Sequence, residues 1–144
     1  MLEGLILTPL KQIAHPKGDI FHAMKSIDAG FNGFGEAYFS EVLYGEVKGW
    51  KKHREMVLNL VVPQGAVRFV AYDDRPSSST NGSFYEVELS TENYYRLTVP
   101  NGIWLAFQGV GESRNLLLNM ASIPHDPKES EVCDIDDIKF GWKS

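Results

Sequence analysis

Nowhere along this chain do apolar residues recur at helical spacing. Short apolar runs, about nine of them at intervals near ten residues, are instead separated by turn-forming residues. That rhythm restricts the chain to an all-β sandwich or barrel. The clearest runs are Glu36 to Leu43, Glu46 to His53, Met56 to Val62, Ala66 to Tyr72, Phe84 to Leu89, Tyr95 to Val99, Ile103 to Phe107 and Asn115 to Ala121. Two weaker ones precede them. Met1 to Ile13 is expected to pair at a sheet edge or with a second subunit, and Ile20 to Ile27 is expected to carry Phe21 and Met24 on a strand. With 144 residues and no internal repeat or linker, the expectation is one domain over 1–144.

The stretch from Gly45 to Gly65, GEVKGWKKHREMVLNLVVPQG, passes from a cationic run into an apolar one and breaks at Pro63-Gln64-Gly65. It reads as a hairpin. On a regular strand Val47, Gly49, Lys51 and His53 point one way while Lys48, Trp50 and Lys52 point the other, so Lys51 and His53 share a face. On the next strand Asn59 sits between Val57 and Val61. A polar group among apolar ones finds a partner or marks a site.

A net charge of -5 and a pI near 5.3 argue against a nucleic acid polymer or an anionic membrane surface as partner. The local clustering of lysines leaves an anionic small molecule open. Cys133 is the one cysteine, so no intrachain disulfide forms; it lies in the acidic segment Glu129 to Asp137 and reads as a passive thiol. With no leader pattern at Met1 and no long apolar span, a cytoplasmic protein is expected.

Read together, VKGWKKH, VVPQGAVRFVAYDDR, the run from Leu89 to Phe107 (LSTENYYRLTVPNGIWLAF) and LLLNMASIPHDP from Leu116 to Pro127 resemble the dTDP-4-dehydrorhamnose 3,5-epimerase family of cupins. The resemblance implies a cupin jelly-roll barrel and a strand-exchanged homodimer. It also implies epimerisation beside the keto group of a nucleotide-diphosphate 4-keto-6-deoxyhexose, in deoxysugar formation for surface polysaccharide such as O-antigen, with no metal or other cofactor. Several family positions depart from the pattern. The run that supplies the family's base histidine is here Lys48-Gly49-Trp50-Lys51, Leu105 stands at a second histidine position, and the family's catalytic tyrosine falls on Pro124-His125-Asp126-Pro127. The family's base-contacting glutamine and asparagine fall near Glu36 and Tyr38.

Histidines two apart on a cupin strand converge on a metal, but here only His53 remains of such a set. Lys51 is cationic and Leu105 has no donor atom, so a three-histidine centre cannot form. Epimerisation beside a ketone needs a base, a cation for the enolate oxygen and an acid on the other face. His53 is the candidate base and Lys51 the cation; His125 is the candidate second proton donor, with Tyr38 or Tyr72 as alternatives if either reaches the cavity. Lys17 and Lys48, corresponding to family arginines, and Arg68 are candidates for the diphosphate. Trp50, Trp104 and Tyr38 are candidates for stacking on the nucleobase. Asn59 and Asn119 either orient sugar hydroxyls or hydrogen-bond each other across the barrel. The competing reading is a cupin that keeps nucleotide-sugar binding and has lost catalysis.

Overall fold

The structure, a computed structural model, describes residues 1–142. Its strands, in chain order, are β1 (Ile6–Pro9), β2 (Gln12–Ile13), β3 (Ile20–Phe21), β4 (Glu36–Glu41), β5 (Val47–His53), β6 (Leu58–Gln64), β7 (Ala66–Asp73), β8 (Phe84–Ser90), β9 (Tyr95–Val99), β10 (Ile103–Gly109), β11 (Leu116–Ala121) and β12 (Ser130–Val132). Among the described residues the only helical piece is a 3-10 turn, Pro127–Glu129, just before β12. No helix among them is long and apolar enough to cross a membrane.

Two five-stranded antiparallel sheets carry the fold, ordered β1-β9-β6-β11-β4 and β12-β5-β10-β7-β8, while β2 and β3 form a small ribbon. From β4 onward the chain changes sheet at every connection except β7 to β8. That is the expected jelly roll. Leu58, Leu60 and Val62 of β6, Leu97 and Val99 of β9, and Leu117 and Ala121 of β11 face Val67, Phe69 and Ala71 of β7 and Ile103 and Leu105 of β10. Each large apolar side chain buried there contributes about 1.5–3 kcal/mol relative to exposure.

The outer faces are also covered. On the second sheet Trp50, Val70, Trp104 and Ala106 pack under the chain from Cys133 to Trp142, and Trp50 Nε1 donates to the Ile135 carbonyl at 3.1 Å. On the first sheet the fully buried Arg96 donates to the carbonyls of Ala23 (2.8 Å) and Ala29 (3.1 Å), holding residues 22–31 against it.

Three local expectations are corrected. The Gly45 to Gly65 stretch is not a hairpin: β5 pairs with β10 and β12, β6 with β9 and β11, and the turn between them crosses from one sheet to the other. The break expected at Pro63-Gln64-Gly65 falls on Gly65 alone, because β6 runs through Pro63 to Gln64 and the register against β11 slips between Leu116 and Leu118. A bulge of this kind accommodates a residue without an N–H. The strand expected from Ile20 to Ile27 shrinks to Ile20–Phe21, since the residues after it wrap over Arg96. Met1 to Ile13 does supply an edge strand, with β1 paired along β9 from Ile6 opposite Thr98 to Pro9 opposite Tyr95.

Candidate active site

A cavity of about 290 Å³ opens between the sheets, with the edge strands β4 and β12 at its mouth. Its floor is apolar, built from Leu58, Leu60, Leu105, Phe107 and Leu117. Its polar lining is Tyr38, Ser40 and Asn119 on the first sheet and Lys48, Lys51 and His53 on the second. No carboxylate is among the lining residues, so the cavity is locally cationic although the chain is acidic.

Strand β5 owes this arrangement to a bulge. Lys51 lies opposite Leu105 and Lys48 opposite Phe107, so Gly49 and Trp50 together face Ala106. The extra residue resets the alternation. Lys48 therefore shares the inner face with Lys51 and His53, where strict alternation placed it outward, and Trp50 points to the outer core. Gly49 makes the bulge possible: its φ is +139°, and a Cβ there would stand 2.5 Å from the Ala106 Cβ. Lys48 Nζ donates to the Glu41 carbonyl at 2.6 Å, whereas the Lys51 ammonium has no hydrogen-bond or ion-pair partner among the described residues.

His53 is 9% exposed, and its Nδ1 lies 2.5 Å from Glu129 Oε1. Glu129 sits at the end of the 3-10 turn, which Asp126 caps by accepting from the Lys128 N–H and which Pro127 pre-shapes. Its other oxygen, Oε2, accepts from the backbone N–H groups of Arg54 (3.1 Å), Glu55 (3.0 Å) and Met56 (3.0 Å). These are the residues of the β5–β6 crossover. One carboxylate thus satisfies the corner and holds the imidazole. Burial pushes the Glu129 carboxyl up, but the N–H groups of Met56 and Glu55 and the His53 ring outweigh burial and hold it at about 2. An ionised carboxylate only accepts, so the Nδ1 facing it carries a proton and Nε2 is the ring nitrogen not engaged by Glu129.

This pairing has a pH signature. The folded Glu129 pKa lies below the ordinary 4.5, so its contribution to stability is complete above about pH 4.5 and is lost as pH falls toward 2. We expect Glu129→Gln to cost about 3 kcal/mol at pH 7. In urea unfolding the difference from wild type should shrink steadily between pH 4.5 and pH 2. A difference that stays constant over that range would show that the charge contributes nothing.

The other residues singled out from the sequence divide clearly. Tyr38 and Asn119 line the cavity, and Asn119 Nδ2 donates to the Tyr38 hydroxyl at 3.0 Å. Asn59 does not line it and does not bond Asn119. It lies on the outer side of its sheet, accepting from Thr98 Oγ1 at 2.5 Å and donating to the Gly30 carbonyl at 3.0 Å. Arg68 is on the outer face of β7, 3.8 Å from Glu86, because Val67, Phe69 and Ala71 take the inner positions. Trp104 is also outward, donating from Nε1 to Asp74 at 2.9 Å with Lys52 Nζ 4.8 Å over its ring. Tyr72 stacks outward against Phe84. His125 is exposed on the turn after β11, where its backbone N–H donates to Glu36, and it is not a cavity residue. Lys17 lies in the exposed turn between β2 and β3, away from the cavity lining.

Sequence reasoning passed over Glu129, which was grouped with an acidic tail. The signal was present: Asp126-Pro127-x-Glu129 has the spacing of a capping box with proline at the first position. Cys133 packs against the outer tryptophan cluster, and burial, then Asp137 and Asp134, push its thiol up, which keeps it protonated. The donor set around His53 does not suit a metal, since its Nδ1 is taken by Glu129, its neighbours are Lys51 and Leu105, and no three His, Cys, Asp or Glu side chains converge among the described residues.

Residues 18–144 match the sequence family described as dTDP-4-dehydrorhamnose 3,5-epimerase. A dTDP sugar isomerase from Desulfovibrio desulfuricans G20, known from its crystal structure, superimposes with a TM-score of 0.94 at 38% identity, over 98% of this chain and 92% of that one. The spore coat polysaccharide biosynthesis protein SpsL of Bacillus subtilis (strain 168) is 23% identical over 148 residues, spanning 100% of this chain and 98% of SpsL. NovW, a 4-keto-6-deoxy sugar epimerase from the novobiocin gene cluster of Streptomyces spheroides, shares the fold with a TM-score of 0.88 at 19% identity, over 99% of this chain and 76% of its own. With the fold, the family match over most of its length and the cavity in agreement, the chain belongs to the dTDP-4-dehydrorhamnose 3,5-epimerase family.

Proposed function

We propose that the protein is a metal-independent nucleotide-sugar epimerase or isomerase that acts beside the keto group of a nucleotide-diphosphate 4-keto-6-deoxyhexose, in deoxysugar formation for surface polysaccharide. The observation that carries this reading is the His53–Glu129 pair, in which Glu129 engages Nδ1 and leaves Nε2 as the ring nitrogen for the substrate in a cationic cavity. In the reaction Nε2 takes the proton from the carbon beside the ketone. The C–H electron pair becomes the enolate double bond, and charge moves to the carbonyl oxygen. Glu129 then faces an imidazolium and stabilises it. Lys51, a free ammonium in the same cavity, receives the enolate oxygen, and Lys48, held to edge strand β4 through the Glu41 carbonyl, is the cation for the diphosphate.

The test is proton exchange. Incubated in D₂O with a dTDP-linked 4-keto-6-deoxyhexose, the protein should introduce deuterium at a carbon flanking the ketone, read by loss of that ¹H NMR signal. Thermal stabilisation by the sugar nucleotide with no deuterium uptake would replace this reading with that of a binding module.

A further inference from the structure

Asn119 presents its amide to the cavity from β11 and is only 7% exposed. Its Nδ2 donates to the Tyr38 hydroxyl at 3.0 Å, which fixes the orientation of the amide, while its Oδ1 is buried without a hydrogen-bond partner among the described residues. No other side chain lining the cavity has such an atom among them. The neighbouring strands supply no donor for it. Asn119 lies opposite Leu60 on β6, which has none, and opposite Tyr38 on β4, whose hydroxyl is already engaged by Nδ2. Buried carbonyl oxygens are almost always hydrogen-bonded, so the donor for this one arrives with the ligand.

An acceptor on this wall tells apart the two carbons beside the ketone of a 4-keto-6-deoxyhexose. One (C3) carries a hydroxyl, which donates; the other (C5) carries a methyl, which does not. Asn119 belongs to the first sheet and His53 to the second, with the cavity between them. A C3 hydroxyl bonded to Oδ1 is drawn to the first sheet, so the C3 hydrogen, the other substituent outside the ring, points to the second, where His53 stands. The methyl then rests on the apolar floor of Leu58, Leu60 and Leu105. The reverse placement, with C5 beside His53, leaves Oδ1 buried and unbonded.

We propose that Asn119 is the specificity-determining residue of the site: its Oδ1 accepts from the hydroxyl on the carbon beside the ketone and so presents the proton of that carbon, not of the methyl-bearing one, to His53. The inference rests on the epimerase reading above and names the carbon on which that reaction acts.

The experiment follows deuterium uptake from D₂O at C3 and C5 separately by ¹H NMR, with wild type and Asn119→Ala, on a dTDP-linked 4-keto-6-deoxyhexose and on its analogue lacking the C3 hydroxyl. Wild type should exchange C3 of the hydroxylated sugar faster than C5 by about 10²-fold. In Asn119→Ala that preference should fall by about 10–10²-fold, the effect of a buried acceptor that gains or loses its donor. The analogue should lose the preference already in wild type, a readout that needs no variant to fold, and Asn119→Ala should change its exchange by no more than about threefold. Exchange in wild type that is equal at the two carbons or faster at C5 would overturn the assignment. So would a C3 preference that survives in Asn119→Ala, or a variant that slows the hydroxylated sugar and the analogue alike. Absence of exchange at either carbon in wild type would instead remove the epimerase reading, and this assignment with it.

Discussion

Replacing His53 with asparagine should lower kcat for the keto sugar by about 10²–10⁴-fold, the range ascribed to a positioned general base. The fold should survive. Glu129 keeps its three backbone partners at Arg54, Glu55 and Met56 without the imidazole, so the β5–β6 corner stays satisfied. A cooperative thermal transition close to that of wild type, alongside the lost turnover, would separate chemistry from folding. Undiminished turnover in the variant would take His53 out of the role.

The largest expected effect on stability lies elsewhere. Asp73 ends β7 with no exposed surface and accepts from the Arg75 backbone N–H (3.0 Å), Arg75 Nε (2.9 Å), Arg75 Nη2 (2.9 Å), Ser78 Oγ (2.6 Å) and Thr80 Oγ1 (2.6 Å). Arg75 and Thr80 in turn hold the amino-terminal segment through the carbonyl and N–H of Glu3. Hydrogen bonds from the Arg75 side chain, against burial, and then from Ser78 and Thr80, hold the Asp73 carboxyl far below the usual range. Removing one partner of a buried charge network typically costs about 3–5 kcal/mol. Asp73→Ala should therefore lower the melting temperature by roughly 10 °C or more. Turnover below the transition should be unaffected, because Asp73 is not a cavity residue. A drop of only a degree or two would mean that the loop finds other anchors.

Alternating apolar runs made the strands and the all-β class legible, since residues such as Val67, Phe69 and Ala71 against Arg68, Val70 and Tyr72 follow the two-residue period of a strand. Which strands share a sheet was not legible, because a crossover and a hairpin are both written as a polar corner between apolar runs. Arg54 and Glu55 form such a corner, and only Glu129, 74 residues further on from Glu55, shows that it spans two sheets. The bulge at Gly49 is a second hidden element: one extra residue moved Lys48 into the cavity, and composition marks it by nothing more than a glycine.

Of the site, Lys51 and His53 could be grouped from their spacing alone, while Tyr38 was singled out as a stacking aromatic or proton donor and Asn119 as a group for sugar hydroxyls. Trp104, Arg68 and Asn59 were misplaced because this jelly roll has covered outer faces. The tail from Cys133 to Trp142 and the segment 22–31 bury residues that a simple sandwich would expose, so burial did not identify the inner wall. His125 and Lys17 lie in turns, where sequence gives the turn but not its distance from a cavity.

The central physical claim is that the Glu129 carboxylate holds a proton of His53 on Nδ1 and so assigns Nε2 to the substrate. Long-range ¹H–¹⁵N correlation NMR of the labelled protein reads this directly: the His53 Nδ1 should carry a proton, and Nε2 should be the nitrogen whose signal responds to the keto sugar. A bare Nδ1 with the proton on Nε2 would contradict it.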